Sequence, residues 1–252
     1  MCMASPPDIG FRTHWKRCLG WAVLPALCIL IEGAFALHGQ DLVEVTAHIE
    51  MPRLADGAKG ALPPAAIWLT PQHPSRVAPL ANDRTYTLLQ KNKRFSPHLL
   101  IVPVGSIVHF PNADPFFHNV FSLFDGRRFD LGLYEAGSSR DVTFGREGIS
   151  YIFCNIHPEM SAVVIALTTP FYSTEEAQGQ FRIPDVPADD YTLHVWVQGE
   201  DEAVLKTLTR KVHIARDHTD LGAIVLPLPP HPPASHENKY GTEYDPREPL
   251  IY

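Results

Sequence analysis

Cys154-Asn155-Ile156-His157-Pro158-Glu159-Met160, CNIHPEM in one-letter code, puts a thiol, an imidazole and a thioether within one short loop. Three readings compete for it: a metal site, a Cys-His nucleophile, or three residues that fall together without a shared role. The flanks place the loop in the fold. ISYIF (149–153) precedes it and AVVIAL (162–167) follows, and both are apolar and branched enough to be buried strands. A connection held by sheet at both ends has little freedom, which suits a site of fixed geometry. Pro158 stiffens it further by fixing its own φ and restricting His157.

A soft thiolate, an imidazole nitrogen and a weak thioether are the donor types that favour copper in a trigonal site with a long axial bond, provided one more imidazole arrives from elsewhere. The segment FPNADPFFHNV (110–120) supplies a candidate, because a polar turn there feeds His118 into the start of a strand. His98 in a turn-like SPH segment, His109 inside a strand and His194 in a separate strand cluster read as packed or solvated side chains.

Four cysteines are present, at positions 2, 18, 28 and 154. The first three lie in a segment with the marks of a secretory signal peptide: Lys16 and Arg17, then the apolar run CLGWAVLPALCILI, then Ala34-Phe35-Ala36. Residues 1–36 are therefore expected to be removed after Ala36, leaving a periplasmic or secreted protein with no membrane span. A retained N-terminal anchor is the alternative, although Glu32 sits badly in lipid. Cleavage leaves Cys154 as the lone thiol, so no internal disulfide forms. The whole chain carries a formal charge of −7, and the leader is net basic, so the exported part is more acidic still. This balance argues against nucleic acid or an anionic membrane as the main partner. The cluster Lys91, Lys93 and Arg94 reads as a solvated strand end.

The rest of the chain is expected to be all-β. Strands are predicted at 42–50, 66–70, 85–90, 99–104, 107–110, 118–123, 129–133, 140–144, 149–154, 162–167, 179–183, 191–197, 205–214 and 223–226, with no useful amphipathic helix. So many short strands at regular spacing imply sandwiches or barrels. Residues 229–252, rich in proline and charge, are expected to form an extended or disordered tail, and its His231 and His236 read as solvated.

Taken together, PNADPFFHNV and CNIHPEM make the segment from about Leu99 to Leu167 resemble a cupredoxin, the plastocyanin, azurin and amicyanin type of blue copper protein, with Cys-x-x-His-Pro-x-Met closest to amicyanin and the whole domain expected over 85–168. The surroundings are similar to bacterial proteins often labelled methylamine utilisation proteins. The resemblance implies a Greek-key β-sandwich holding one type 1 copper on His118, Cys154, His157 and Met160. It also implies that the Asn119 side chain ties the two ligand segments together, with Pro158 beside it, and that electrons pass through a His157 near the surface to an unidentified redox partner protein. Phe116, Phe117 and Pro158 are expected to rim that exit. A second likeness covers EEAQGQFRIPDVPADDYTLHVWV (175–197), which looks like a carboxypeptidase regulatory-like, transthyretin-like module. Its opening strands are expected far upstream, so that 42–70 and 171–228 share one core and the cupredoxin is inserted between them.

Rival chemistries fit less well. A Cys-His hydrolase leaves Met160 and the second imidazole without a role. Structural zinc takes thioethers poorly. The chain has no His-x-His pair, and Asn155 rather than histidine follows Cys154, so neither a trinuclear copper cluster nor the direct copper-to-copper link of nitrite reductases is visible. The expectation is an electron carrier and not an enzyme. Copper carriage or storage, and a surface-binding module with structural copper, remain the alternatives.

Overall fold

Among the described residues, β1 (Leu42–Glu50) and β2 (Ala65–Pro71) come first, ten further strands follow, and the chain then returns to pair with β1 and β2. The ten are β3 (Tyr86–Thr87), β4 (Leu89–Gln90), β5 (Phe95–Ser96), β6 (Leu99–Pro103), β7 (Ser106–Pro111), β8 (His118–Ser122), β9 (Phe129–Tyr134), β10 (Ser139–Phe144), β11 (Gly148–Phe153) and β12 (Ser161–Leu167). The return comprises β13 (Tyr172–Thr174), β14 (Gln180–Pro187), β15 (Asp189–Val197), the short helix α1 (Glu202–Leu208), β16 (Arg210–Ile214) and β17 (Asp220–Val225). This computed structural model describes residues 42–52, 61–74, 84–123, 126–227 and 237–244, all within one unit spanning 40–252. The expected leader and the tail histidines His231 and His236 lie outside the described residues. Among those residues no helix is long and apolar enough to cross a membrane.

Alternation along β1 decides the first layer. Val45, Ala47 and Ile49 point inward while their neighbours face outward, as period-two patterning requires. β1 is flanked by antiparallel β14 and parallel β17, and this sheet faces a second one ordered β13-β2-β15-β16. Ile67 and Leu69 from β2, Phe181 and Ile183 from β14, and Tyr191 and Leu193 from β15 fill the space between. Residues before position 70 and after position 170 thus make a single core. One tight approach locks the two halves: Ile49 N–H donates to Gly179 O at 2.8 Å, with Gly179 at φ 80°. A Cβ there would collide with the carbonyl oxygen of Ile49 and force a left-handed conformation on an L-residue. Gly179→Ala is expected to cost more than about 2 kcal/mol, read as a lower urea midpoint at unchanged m-value.

The middle of the chain builds a second sandwich. A sheet ordered β10-β7-β3 packs on a five-stranded one ordered β6-β12-β11-β8-β9, over Val108, Phe110, Val120, Phe144, Ile152 and Val164. β12 is buried on both faces, which is why SAVVIAL reads as an apolar run and not as an alternation. Its Ala162, Val164 and Ala166 enter the second core, whereas Val163, Ile165 and Leu167 meet Ala66 and Trp196 of the first sandwich. Fully burying side chains the size of Ile165 contributes about 2 kcal/mol each, so the seam fixes β12 firmly. β12 begins one residue after the CNIHPEM loop, and that firmness is passed to the loop.

The all-β expectation holds, with local differences. The stretch 205–214 is not one strand: α1 takes its first half, packing Leu205 and Leu208 on the first core and pairing Glu202 with Lys206 at 2.8 Å. Two turns of helix are too short to give a 3.6-residue period above the noise. The predicted strand 85–90 breaks at Leu88, which turns into the second core between β3 and β4. Strands β5 and β13, two and three residues long, had no sequence pattern to announce them.

Candidate metal centre

The loop after β11 closes on itself through its backbone. Cys154 N–H donates to Met160 O at 3.1 Å, and Met160 N–H donates to His157 O at 2.9 Å. His157 and Cys154 are thereby carried to the same side, with His157 Nδ1 3.5 Å from Cys154 Sγ. His118, first residue of β8, brings its Nδ1 to 3.6 Å from the same sulfur. The two imidazole rings stand 4.8 Å apart, centroid to centroid. The donor atoms of His118, Cys154 and His157 all lie within 4.8 Å of one another, and the three residues are buried. Met160 is buried in the same core cluster as Cys154 and closes the loop by its carbonyl.

The tautomer of His118 follows from its surroundings. Asp114, one helical turn's spacing earlier in the polar turn, receives His118 Nε2 at 2.9 Å. Its carboxylate also accepts the amides of Asn92 at 2.6 Å and Lys93 at 2.9 Å, two residues held in the left-handed region at φ 55° and 56°. Burial pushes the Asp114 carboxyl up, but the Lys93 amide, His118 and the Asn92 amide together outweigh it, so the group stays ionised. An ionised acceptor makes Nε2 the protonated nitrogen of His118, leaving Nδ1 bare and aimed at Cys154. The turn itself is held by Asn112, whose side chain donates to Phe116 O and accepts from Asp114 N–H.

Burial pushes the Cys154 thiol up, opposed by the amides of Asn119, Ile156 and His157. Burial pushes both imidazoles down, His157 to about 4 with help from the nearby His118 and Lys93. The resulting set is a neutral thiol and two neutral imidazoles converging on one point. Neutral imidazole is the ligating form, and a cation placed among these atoms would displace the thiol proton. The donor set fits a copper ion of the trigonal kind.

The His157 shift makes stability depend on pH. In protein stripped of metal, an imidazole at about 4 when folded and near 6.5 when unfolded costs nothing above neutrality and destabilises as pH falls between those values. The groups facing it are His118, Lys93 and Asp114. Between pH 7 and pH 4.5 the loss from this residue is expected to be about 2 kcal/mol. Urea midpoints at the two pH values measure it, and His157→Phe is expected to remove that part of the slope.

Two expectations about the ligand segments need correction. The Asn119 side chain does not tie the ligand segments directly: its Nδ2 donates to Asp130 Oδ1 at 2.6 Å on neighbouring β9, and its backbone amide serves Cys154. His157 is not at the surface, being 2% exposed beneath Phe116, whose ring centroid is 5.5 Å away. Of the expected apolar rim, Phe117 is exposed while Phe116 and Pro158 are half-buried. The other histidines stay apart: His98 bonds Ser161 O and Gln198, His109 pairs with Asp141, and His194 stacks on Trp68. Lys93 is more than a solvated strand end, since its ammonium lies 5.4 Å from the Phe116 ring centroid.

Comparison with known proteins adds likenesses over part of the chain. No family model matches the sequence, and no curated protein matches it. Among solved structures, the chain is similar to a purple cupredoxin from Nitrosopumilus maritimus, at 25% identity and a TM-score of 0.30 over 34% of this chain and 100% of that one. It is similar to a reduced variant of amicyanin, at 22% identity and a TM-score of 0.31 over 36% of this chain and 92% of that one. A copper-containing nitrite reductase from Thermus scotoductus SA-01 aligns at 23% identity and a TM-score of 0.33, over 38% of this chain and 27% of that one.

Sequence reasoning missed two groups at the site. Asp114 had a readable signal, an acid four residues before the candidate histidine within one turn. The other group comes from the C-terminal segment, where Tyr244 Oη donates to Cys154 O at 2.9 Å. Residues 237–244 thus depart from the disordered tail expected at 229–252.

Proposed function

We propose that the chain is an exported mononuclear type 1 copper protein of the cupredoxin kind, acting in electron transfer. The observation that carries this reading is the placement of two imidazole Nδ1 atoms, from His157 and His118, at 3.5 and 3.6 Å from one buried thiol. His118, Cys154 and His157 would hold the metal, with Met160 as the weak fourth donor. Bound copper would supply a one-electron Cu(I)/Cu(II) couple. The residues around it supply rigidity: Asp114 locks the His118 ring, two backbone hydrogen bonds lock the loop, and three amides face the sulfur. A site that cannot rearrange keeps the reorganisation cost of electron transfer low.

The burial of all three donors favours retention of the ion over its hand-over, and so favours the electron carrier over copper carriage or storage. It also speaks against a Cys-His nucleophile. A fully buried thiol pushed up by its surroundings, beside imidazoles pushed down, is neither activated nor approachable. Exposed Phe117, directly before His118, and exposed Leu133, opposite Asn119 on β9, lie at the same end of this strand pair and offer apolar surface to a redox partner protein. The core shared by residues 45–69 and 171–226 supports a cupredoxin domain at 85–168 inserted into a discontinuous regulatory-like sandwich. Residues 1–36 are proposed as the export signal.

Titrating the purified protein with cupric ion and recording visible and paramagnetic spectra tests the reading. One equivalent is expected to produce an intense thiolate charge-transfer band and a reversible one-electron couple. Binding of zinc with no coloured cupric form would overturn it.

A further inference from the structure

The last described residues are held by a turn that is complete in itself. Asn238 Oδ1 accepts the amides of Tyr240 and Thr242, its Nδ2 donates to Thr242 Oγ1, and Gly241 N–H donates to Asn238 O. From this turn three contacts leave toward the candidate centre. Lys239 N–H donates to Asn155 Oδ1 at 2.9 Å, the Lys239 ammonium meets Asp130 Oδ2 at 2.9 Å, and Tyr244 Oη donates to the carbonyl of Cys154 at 2.9 Å. Asp130 in turn holds Asn119, the neighbour of His118, through its other oxygen. One segment therefore grips both pieces of chain that carry the thiol and the imidazoles.

The Cys154 backbone has no slack as a result. Its N–H is taken within the loop by Met160 and its C=O is taken from outside by Tyr244. Asn155, next in sequence, is the other point of grip. These outside contacts add to the loop's own two backbone bonds and to the amides that face the Cys154 sulfur. The Lys239–Asp130 pair is partly screened from solvent, with 24% and 40% of the side chains exposed, and it anchors the turn.

We propose that residues 237–244 are a strap that fixes the CNIHPEM loop in register, with Tyr244 and Lys239 as positioning residues for the thiol of Cys154. The contribution to a metal centre rests on the copper reading above; the contribution to thiol protection does not. The contacts are separated from the loop by more than 80 residues of sequence, so the strap is a tertiary lock and not a local turn.

The test uses the full chain stripped of metal by a chelator, and the rate at which Cys154, resolved from Cys2, Cys18 and Cys28 by peptide mass mapping, reacts with a thiol-modifying reagent at fixed pH. Loss of one hydrogen bond by Tyr244→Phe is expected to raise the rate roughly fivefold, and deletion of 237–252 at least about tenfold. Lys239→Ala is expected to accelerate the reaction and Lys239→Arg, which keeps the contact with Asp130, to restore the slow rate. Far-ultraviolet circular dichroism is expected to stay at wild type for the point variants. In copper-loaded protein, Tyr244→Phe is expected to move the charge-transfer band and to speed release to a chelator. Wild-type thiol reactivity in both Tyr244→Phe and Lys239→Ala would overturn the strap. Failure of the wild type to take copper, with the thiol still shielded as described, would overturn the copper reading and leave the strap standing.

Discussion

Cys154→Ser is expected to abolish the thiolate charge-transfer band and the one-electron couple completely, while leaving the fold nearly intact. The two outcomes separate because the sulfur has two roles that oxygen shares unequally. As an acceptor it faces the amides of Asn119, Ile156 and His157, and a serine oxygen can take the same bonds. As a soft donor to copper it has no replacement, because a hydroxyl is neither readily ionised nor polarisable. The cost in stability of the metal-free protein is expected to be about 1–2 kcal/mol, the usual range for a small change of volume and polarity at a buried site. Visible absorption, paramagnetic resonance and a urea titration on one preparation check all three statements. A serine variant that kept the band would mean that Cys154 is not a ligand.

Asp114→Ala is expected to have the largest effect on stability of any single change at the site, about 3–5 kcal/mol. The buried carboxylate accepts from the Asn92 and Lys93 amides and from His118 Nε2, so its removal orphans three donors at once. Two of those donors belong to residues in the left-handed region, whose backbone conformation the carboxylate helps to hold. The His118 ring would also lose the partner that sets its tautomer and direction, and copper affinity is expected to fall about 10- to 100-fold. Asp114→Asn provides the contrast. It keeps the volume and one acceptor but loses the charge, so it is expected to recover part of the stability and less of the affinity. Denaturation midpoints and competitive copper titration against a chelator give the two numbers. Equal affinity in wild type and alanine variant would show that His118 needs no outside orientation.

How far the molecule was readable depended on the range over which each signal acts. CNIHPEM declared a soft-donor loop because three of its residues are separated by so few bonds that a closed turn must bring them together. The alternating LVEVTAHIE of β1 and the unbroken SAVVIAL of β12 declared one strand with a wet face and one with none. The short helix α1 and the break at Leu88 escaped for the opposite reason: each spans too few residues for a period to emerge, and each is decided by which core a leucine can reach. Asn119 was misassigned because its identity fixes only its capacity to donate and accept. Asp130, on the strand beside it, decided where the donor went.

By itself the sequence determined that this protein is a succession of short strands around a loop carrying thiol, imidazole and thioether, with a second imidazole available in a polar turn. Those features follow from side-chain chemistry, alternation and the stiffness of proline, all of which act within a few residues. Only the tertiary structure decided that His118 faces Cys154 through its Nδ1, that His157 is buried, and that Tyr244 and Lys239 close over the loop. Each of these is a matter of which group fills a position and which donor meets which acceptor once distant segments are packed together, and no local pattern encodes that choice.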